Sequence, residues 1–411
     1  MNIGNSYYFW LKSADNTPEN IENIEKSLWV KLPVVSFIFD PRYESDVLNS
    51  IDKIVEKLWT DRIYHFTISP DNYSANDVIE WKFDAQYMAF FEKVKEKNLH
   101  VIFRTMHEMN GWRYPWSSNP EAFKEAWIHV RNLSRLVWLD SGNILFDFSV
   151  NHRDMPTKWV PSQSAPLIQC NITRDDCYHF EDYYPWYEYV DVVGFTFYNR
   201  WKANSNRLRL TPTQILYDQN WNTYERIKAF DKPVIIDEVA TTSVRYDWAY
   251  NYEKSRNEYL NHDERKDGWI YQLWEFLVER PEIVAVVYFN TDYTHGLQLK
   301  LVWEADWAIV NLDENKVYGW FNELEIFGEK NLDNILISLF HLKQFKIEWK
   351  SVLLPQKCDK ELITILSAVK KRSTKNEKIE YINKLKWNAV KSYCINQSLD
   401  ILSILYDINS N

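Results

Sequence analysis

Glycine is scarce in this chain: 8 residues in 411, against 20 tryptophans. An ordinary chain of this length carries about 29 glycines, at roughly 7%. That imbalance needs an explanation. Cysteine is scarce too. Four cysteines, none in a Cys-x-x-Cys pair, exclude a disulfide framework and argue against a structural zinc site. Cys170 and Cys177 leave two readings open, a bridge or free buried thiols, with free thiols favoured. There is no apolar run of the roughly 18 residues that a membrane span needs. Met1–Trp10 has no basic stretch leading into a long apolar one, so no signal peptide is expected. Positive charge is not in excess either. A net charge of −10 makes nucleic acid an unexpected partner. What is present is ordinary for a globular chain: 45% apolar and 26% charged residues, which excludes disorder as the dominant state.

Eight apolar, β-branched runs recur along the chain. They are Tyr7–Trp10, Val34–Phe39, Ile63–Ile68, Val101–Met106, Ile144–Val150, Val190–Phe197, Val234–Val239 and Ile283–Phe289. Between them lie amphipathic stretches at 17–28, 45–58, 84–98, 120–137, 211–229 and 255–279. Asn119-Pro120-Glu121 supplies a cap, a first-turn proline and an acidic first turn, and Ser74 to Asp77 gives a similar start signal. Eight strands alternating with helices predict an α/β fold, a (β/α)8 TIM barrel over residues 1–328. Residues 329–411 differ. No glycine follows Gly328, and 330–411 carry 14 Lys+Arg against 8 Asp+Glu. Apolar clusters at Leu336–Phe345, Leu362–Leu366, Ile379–Leu385 and Leu399–Leu405 predict three or four helices, a small Lys-rich C-terminal helical appendage. A helical bundle beside the barrel and a surface-docking module are both open for it.

In such a barrel chemistry sits where strands end. The fourth strand runs into Arg104-Thr-Met-His107-Glu108-Met-Asn110-Gly-Trp112-Arg-Tyr114-Pro-Trp116. A carboxylate there is flanked by hydrogen-bonding residues and an aromatic wall. Sugars offer C–H faces to stack on rings and hydroxyls that need polar partners, so this combination suits glycoside chemistry. It is not a His-Glu-x-x-His zinc helix, because Gly111 stands at the second His position. The seventh strand ends Val-Ile-Ile-Asp237-Glu238. A glutamate closing a buried strand is costly unless paired or functional. Strands four and seven open into one mouth, where two carboxylates can flank one glycosidic bond. Tyr198, at the end of strand six, is placed to hydrogen-bond a nucleophilic carboxylate.

The run His107-Glu-Met-Asn-Gly-Trp112, the Tyr198 and Glu238 strands and Ala285–Asn290 together resemble glycoside hydrolase family 26 over roughly residues 5–325. The resemblance implies a retaining, endo-acting hydrolase of β-1,4-mannosidic bonds in mannan-type polysaccharides. A mixed-linkage β-1,3-1,4-glucanase is the alternative within the family, and an inactive carbohydrate-binding protein is the alternative of another class. Glu108 then corresponds to the acid/base and Glu238 to the nucleophile. His107 contacts the sugar bearing the scissile bond, Tyr198 supports the nucleophile, and Trp307 platforms that same sugar. Trp112 and Trp116 form the aromatic wall, and Asn151 takes the strand-five asparagine position. Arg104 and Asn110 are supporting residues, with Arg104 near Glu238 at the barrel floor. Ala308 stands where the family often has Arg, so one contact is missing. The implied partner is a β-linked polysaccharide or oligosaccharide. No cofactor and no metal are required. The family is usually secreted or surface-bound.

The resemblance also bears on the glycine shortage. Trp29, Trp59, Trp81, Trp138 and Trp186 fall where relatives usually have glycine, the last in Tyr184-Pro185-Trp186. Helix ends of this kind need a left-handed residue, and tryptophan is strained there. Two explanations stand: an unusually aromatic chain, or UGA codons that the source reads as glycine and this sequence renders as Trp, the second favoured. On the second, these five are not sugar platforms.

Overall fold

The computed structural model describes residues 9–290 apart from 14–16, 29–30, 43, 112, 140–141, 156–157, 159–169, 200–209, 242–244, 252–255, 261–265 and 281; beyond 290 it describes 310–311, 316–317, 342–347, 350–355, 359–371, 374–387 and positions 395, 398, 399 and 402. Strands β1 (Phe9–Ser13), β2 (Val34–Phe39), β3 (Ile63–Ile68), β4 (His100–Thr105), β5 (Ile144–Asn151), β6 (Val192–Asn199) and β7 (Val234–Thr241) are followed by an antiparallel hairpin, β8 (Arg245–Asn251) and β9 (Arg256–Leu260), and then by β10 (Ile283–Asn290). The eight strands other than the hairpin form one parallel sheet in the order β1-β10-β7-β6-β5-β4-β3-β2. β1 and β2, the ends of that order, approach one another and bring the sheet round into a nearly closed (β/α)8 barrel.

The helices follow the amphipathic stretches: α1 (Pro18–Leu28), α2 (Glu44–Leu58), α3 (Ala75–Ile79), α4 (Asp84–Glu96), α5 (Pro120–Leu136), α6 (Pro212–Leu216), α7 (Thr223–Lys228) and α8 (Lys266–Val278). The start signals act as expected. Asn119 Oδ1 accepts from the Ala122 amide at the head of α5, and Ser74 and Asp77 form a capping box on α3. Two expectations need correction. The 211–229 helix is two short ones, parted by the 217–222 turn. The helix predicted from 255 begins at Lys266, because Arg256–Leu260 pairs with β8 instead.

Alternation along each strand sorts the core into two parts. Outward residues such as Phe37, Phe66, Phe103, Phe146 and Phe148 pack against helix residues including Phe90, Phe91, Phe123 and Trp127. Each such ring contributes roughly 1.5–3 kcal/mol by leaving water. Inward residues form layers. An apolar floor of Val34, Ile63, Ile102, Leu145, Val192, Ile235, Ala285 and Val287 closes the bottom. Above it the interior turns polar: Ser36, His65, Asp147 and Asp237, then Thr67, Arg104, Ser149, Thr196 and Glu238, all buried.

Past the barrel, a hairpin of β13 (Leu342–Ile347) and β14 (Lys350–Pro355) precedes α9 (Asp359–Lys370) and α10 (Lys375–Trp387). The helix expected at 336–345 is therefore a strand from Leu342 onward, with each residue of Leu342–Ile347 paired across to Lys350–Pro355. Two very short strands, β11 (Val310–Asn311) and β12 (Lys316–Val317), pair with each other. Leu362, Leu366, Val369, Ile382, Leu399 and Leu402 form a hydrophobic cluster of their own.

Cys170 and Cys177 are joined in a disulfide, which corrects the expectation of free thiols at that pair. The seven-residue spacing brings their Cα atoms to 5.7 Å, within the ordinary range for a bridge.

The tryptophans divide sharply. Trp59, Trp81, Trp138 and Trp186 have φ of 66°, 67°, 66° and 72° and exposures of 58–72%. Trp116, Trp127, Trp221 and Trp269 are buried and have no positive φ. Trp29 lies outside the described residues.

Candidate active site

The mouth of the barrel is built by the ends of β4, β5, β6 and β7. On β7 the register slips. Phe195 pairs with Ile236, yet the next residue, Thr196, pairs with Glu238. Asp237 is the extra residue of a β-bulge, and a bulge breaks the in–out alternation. Two successive carboxylates therefore both face the interior. Asp237 reaches down toward His65, and Glu238 meets Arg104 and Tyr198.

Glu238 is held at both oxygens. Arg104 Nη2 donates to Oε1 at 2.6 Å, and Tyr198 Oη donates to Oε2 at 2.5 Å. Arg104 is itself fixed by donating Nε–H to Thr67 Oγ1 at 2.8 Å and an Nη1 hydrogen to Ser149 Oγ at 3.4 Å. Burial works against the charge of this guanidinium, but Glu238, Asp237 and Asp147 more than offset it and hold Arg104 protonated. Charge-assisted hydrogen bonds of this kind favour an ionised, oriented carboxylate.

Glu108 is positioned differently. It follows β4 in a tight turn, with Met106 at φ 44° and Glu108 at φ 51°. Neither residue type favours that region, and such strain concentrates where a side chain must be aimed. The turn is fastened by the Glu108 amide donating to Ser149 O and the Gly111 amide donating to Glu108 O, each at 2.8 Å. A Cβ at Gly111 would lie 2.9 Å from Glu108 O, so glycine permits this closure. Burial and then the Glu238 charge push the Glu108 carboxyl above the usual range, while a hydrogen bond with Asn151 and the charges of Arg104 and Arg113 pull the other way. The two carboxyls thus sit within electrostatic reach in opposed settings, Glu238 paired with Arg104 and the Glu108 carboxyl pushed up.

The remaining predicted residues separate into those at the mouth and those behind it. His107 is buried, and its Nε2 lies 2.8 Å from Tyr114 Oη. Trp116 is only 1% exposed. It stacks on Tyr114 at 4.4 Å between centroids and donates its indole N–H to His107 O at 3.0 Å. Trp116 therefore backs the aromatic wall and does not line it, a correction to its expected role as a sugar contact. Asn110 is fully buried and clamps loop to strand. Its Nδ2 donates to Asn151 O at 2.7 Å and to Asp154 Oδ1 at 2.9 Å, and its Oδ1 accepts from the Asn151 amide at 2.8 Å. Asn151 thereby comes under Glu108. Trp112 and Trp307 lie outside the described residues.

Sequence reasoning missed Tyr114 as the ring over His107, and Asp154 as the anchor of the following loop. Asp154 accepts from Asn110, from the Phe180 amide at 3.1 Å and from Arg226 at 2.9 Å. It also missed the buried polar layer of His65, Asp147 and Asp237. The signal for that layer was available: a charged residue in the middle of an apolar strand, as in Ile144-Leu-Phe-Asp147-Phe, is expensive unless partnered.

No protein-family model matches the chain, and no curated protein matches it. Solved structures similar to it include several mannanases, some named as belonging to glycoside hydrolase family 26. One is a mannanase from Bacillus subtilis, 12% identical over 70% of this chain and 81% of that one, with a TM-score of 0.41. A second is the catalytic domain of a family 26 endo-β-1,4-mannanase from a Bacillus species, 16% identical over 79% of this chain and 89% of that one, TM-score 0.46. A third is a β-mannanase from a symbiotic protist of the termite Reticulitermes speratus, complexed with a gluco-manno-oligosaccharide, 13% identical over 80% and 90%, TM-score 0.44.

Proposed function

We propose that this protein is a retaining, endo-acting glycoside hydrolase that cleaves β-1,4-mannosidic bonds in mannan-type polysaccharides. The observation that carries the reading is the pair of carboxylates at one barrel mouth. Glu238 is locked between Arg104 and Tyr198, while burial and the Glu238 charge push the Glu108 carboxyl above the usual range. Opposed environments for two carboxyls are what acid and nucleophile roles require. In the first step Glu238 attacks the anomeric carbon as Glu108 gives its proton to the departing glycosidic oxygen. In the second, Glu108 takes a proton from water, and that water displaces Glu238 from the sugar. The substrate class rests on the sequence resemblance.

Product analysis on galactomannan, glucomannan and mixed-linkage β-glucan tests the reading. Manno-oligosaccharides of several lengths, with the β configuration retained in the first product, are expected. Release from mixed-linkage β-glucan alone keeps the two-carboxylate chemistry and moves the substrate. Binding without cleavage of any of the three polymers rejects the enzyme reading in favour of a carbohydrate-binding protein.

A further inference from the structure

We propose that the barrel interior below the site holds a divalent transition cation, zinc first, ligated by His65 Nε2, Asp147 Oδ2 and Asp237 Oδ1. The three side chains come from β3, β5 and β7 and are fully buried. His65 Nε2 lies 3.4 Å from Asp147 Oδ2 and 3.5 Å from Asp237 Oδ1, and the three ligand atoms fall within 4.8 Å of one another. Zinc bonds of about 2.0–2.1 Å in tetrahedral geometry place ligand atoms about 3.4 Å apart. The two edges from His65 match a coordination triangle, and the edge between the aspartates, within 4.8 Å, closes to that length as the ion binds.

Three further observations point to an occupant. Asp237 and Asp147 face His65, the Gly194 amide and each other, yet both oxygens of Asp237 and Asp147 Oδ1 lack a well-formed hydrogen bond although all three are buried. Such groups are rarely left unmatched. Next, His65 Nδ1 lies 2.9 Å from Ser36 Oγ, which fixes the ring with Nε2 aimed at the carboxylates. Metal-ligating histidines are held in this way through their other nitrogen. Finally, Gly194 on β6 gives the carboxylates their room. A Cβ there would stand 1.9 Å from Asp237 Oδ2 and 2.6 Å from Asp147 Oδ1. Charge points the same way: Arg104 is shared between these two aspartates and Glu238, with which it forms its direct ion pair. Three carboxylates share that one guanidinium, and a divalent ion balances the remainder. Its role is structural, fixing β3, β5 and β7 beneath the bulge that presents Glu238.

Metal analysis of the full chain, made without a metal-affinity tag and refolded with zinc chloride, is the test. About one zinc per chain is expected, falling below a tenth in Asp147→Asn and in Asp237→Asn. Unfolding of the wild type should shift upward by about 4 °C or more with zinc relative to a chelator-refolded sample, and the variants should show no such shift. Should either variant fail to fold, Ser36→Ala, which only loosens the His65 ring, should still bind zinc more weakly. Wild type that folds with no metal and no zinc-dependent shift overturns the proposal. None of these readouts depends on catalysis.

The tryptophan geometry independently carries a second inference. We infer that glycine occupies positions 59, 81, 138 and 186 in the protein as its source makes it. Trp81 and Trp138 sit at the left-handed position of Schellman helix ends. The Trp81 amide donates to Val78 O and Lys82 N to Asp77 O; the Trp138 amide donates to Arg135 O and Leu139 N to Ser134 O. Trp59 ends α2 with its amide on Val55 O, the simpler left-handed cap. Trp186, at φ 72° and ψ 155°, occupies a region essentially reserved for glycine. The indoles at all four are largely exposed, with Trp186 touching only the Tyr189 ring at 6.5 Å between centroids, so packing offsets little of the strain. The codons and peptide masses from the native source decide. UGA codons with glycine-containing peptides are expected, and UGG codons with tryptophan-containing peptides overturn the inference. The chain with all four replaced by glycine should melt about 5–10 °C above the tryptophan form.

Discussion

Glu238→Ala lowers kcat/KM on mannan by about 10⁴-fold or more, which is roughly 5.5 kcal/mol of transition-state stabilisation. The size follows from what the side chain does. It supplies the bond to the anomeric carbon, and no other carboxylate among the described residues is held by both Arg104 and Tyr198. A large loss alone does not separate a nucleophile from a structural anion, because removing Glu238 leaves the buried Arg104 charge uncompensated. Rescue does separate them. With an activated aryl β-mannoside, added azide should enter the space left by the carboxylate and attack the anomeric carbon as the aryl oxygen leaves. The product is the α-glycosyl azide, with configuration inverted by a single displacement. Glu238→Gln keeps an acceptor for Arg104 and serves as the variant least disturbed in fold. Loss of activity in a folded Glu238→Ala protein without azide rescue would reassign Glu238 to a supporting role.

The residues of this site were readable from the sequence to different depths, for physical reasons. Strand runs and helix caps were visible because they depend on local alternation and on single side chains such as Asn119 and Ser74. The place of Glu108 and Glu238 followed from counting strands. What alternation cannot reveal is a bulge. Period two puts only one of Asp237 and Glu238 inward, and both are inward because β7 carries an extra residue against β6. The interior polar layer depends on partners 82 residues apart, as His65 and Asp147 are, so neighbours in sequence give no sign of it. The β8–β9 hairpin was missed although Tyr246, Trp248 and Tyr250 alternate there, since an amphipathic helix beginning a little later masked the pattern. Trp116 was misjudged for a general reason. An aromatic residue near a site has the same letter whether it faces the sugar or the core, and only packing against Tyr114 and His107 distinguishes the two.

The acid role of Glu108 makes a prediction about pH. Activity requires Glu108 protonated and Glu238 ionised, so kcat/KM falls at high pH as Glu108 loses its proton and at low pH as Glu238 gains one. Burial and the Glu238 charge raise the Glu108 carboxyl, so the high-pH limb should lie above the range of an ordinary glutamate. Glu108→Gln removes the titrating group. It should lower kcat/KM on mannan by about 10²–10⁴-fold and abolish the high-pH limb while leaving the low-pH limb. Substrate choice then gives a second readout. An aryl glycoside whose leaving group needs no proton should form the covalent intermediate nearly as fast in Glu108→Gln as in wild type. Its hydrolysis should stay slow, because no base takes the proton from water, and a burst of released phenol should precede a slow steady state. Asn151→Ala should move the limb further up, since its hydrogen bond lowers the Glu108 carboxyl. A Glu108→Gln protein that keeps the high-pH limb assigns that limb to another group and withdraws the acid role from Glu108. A protein that loses the limb but shows no burst leaves Glu108 as the acid of the first step and gives the water-activating step to a different base.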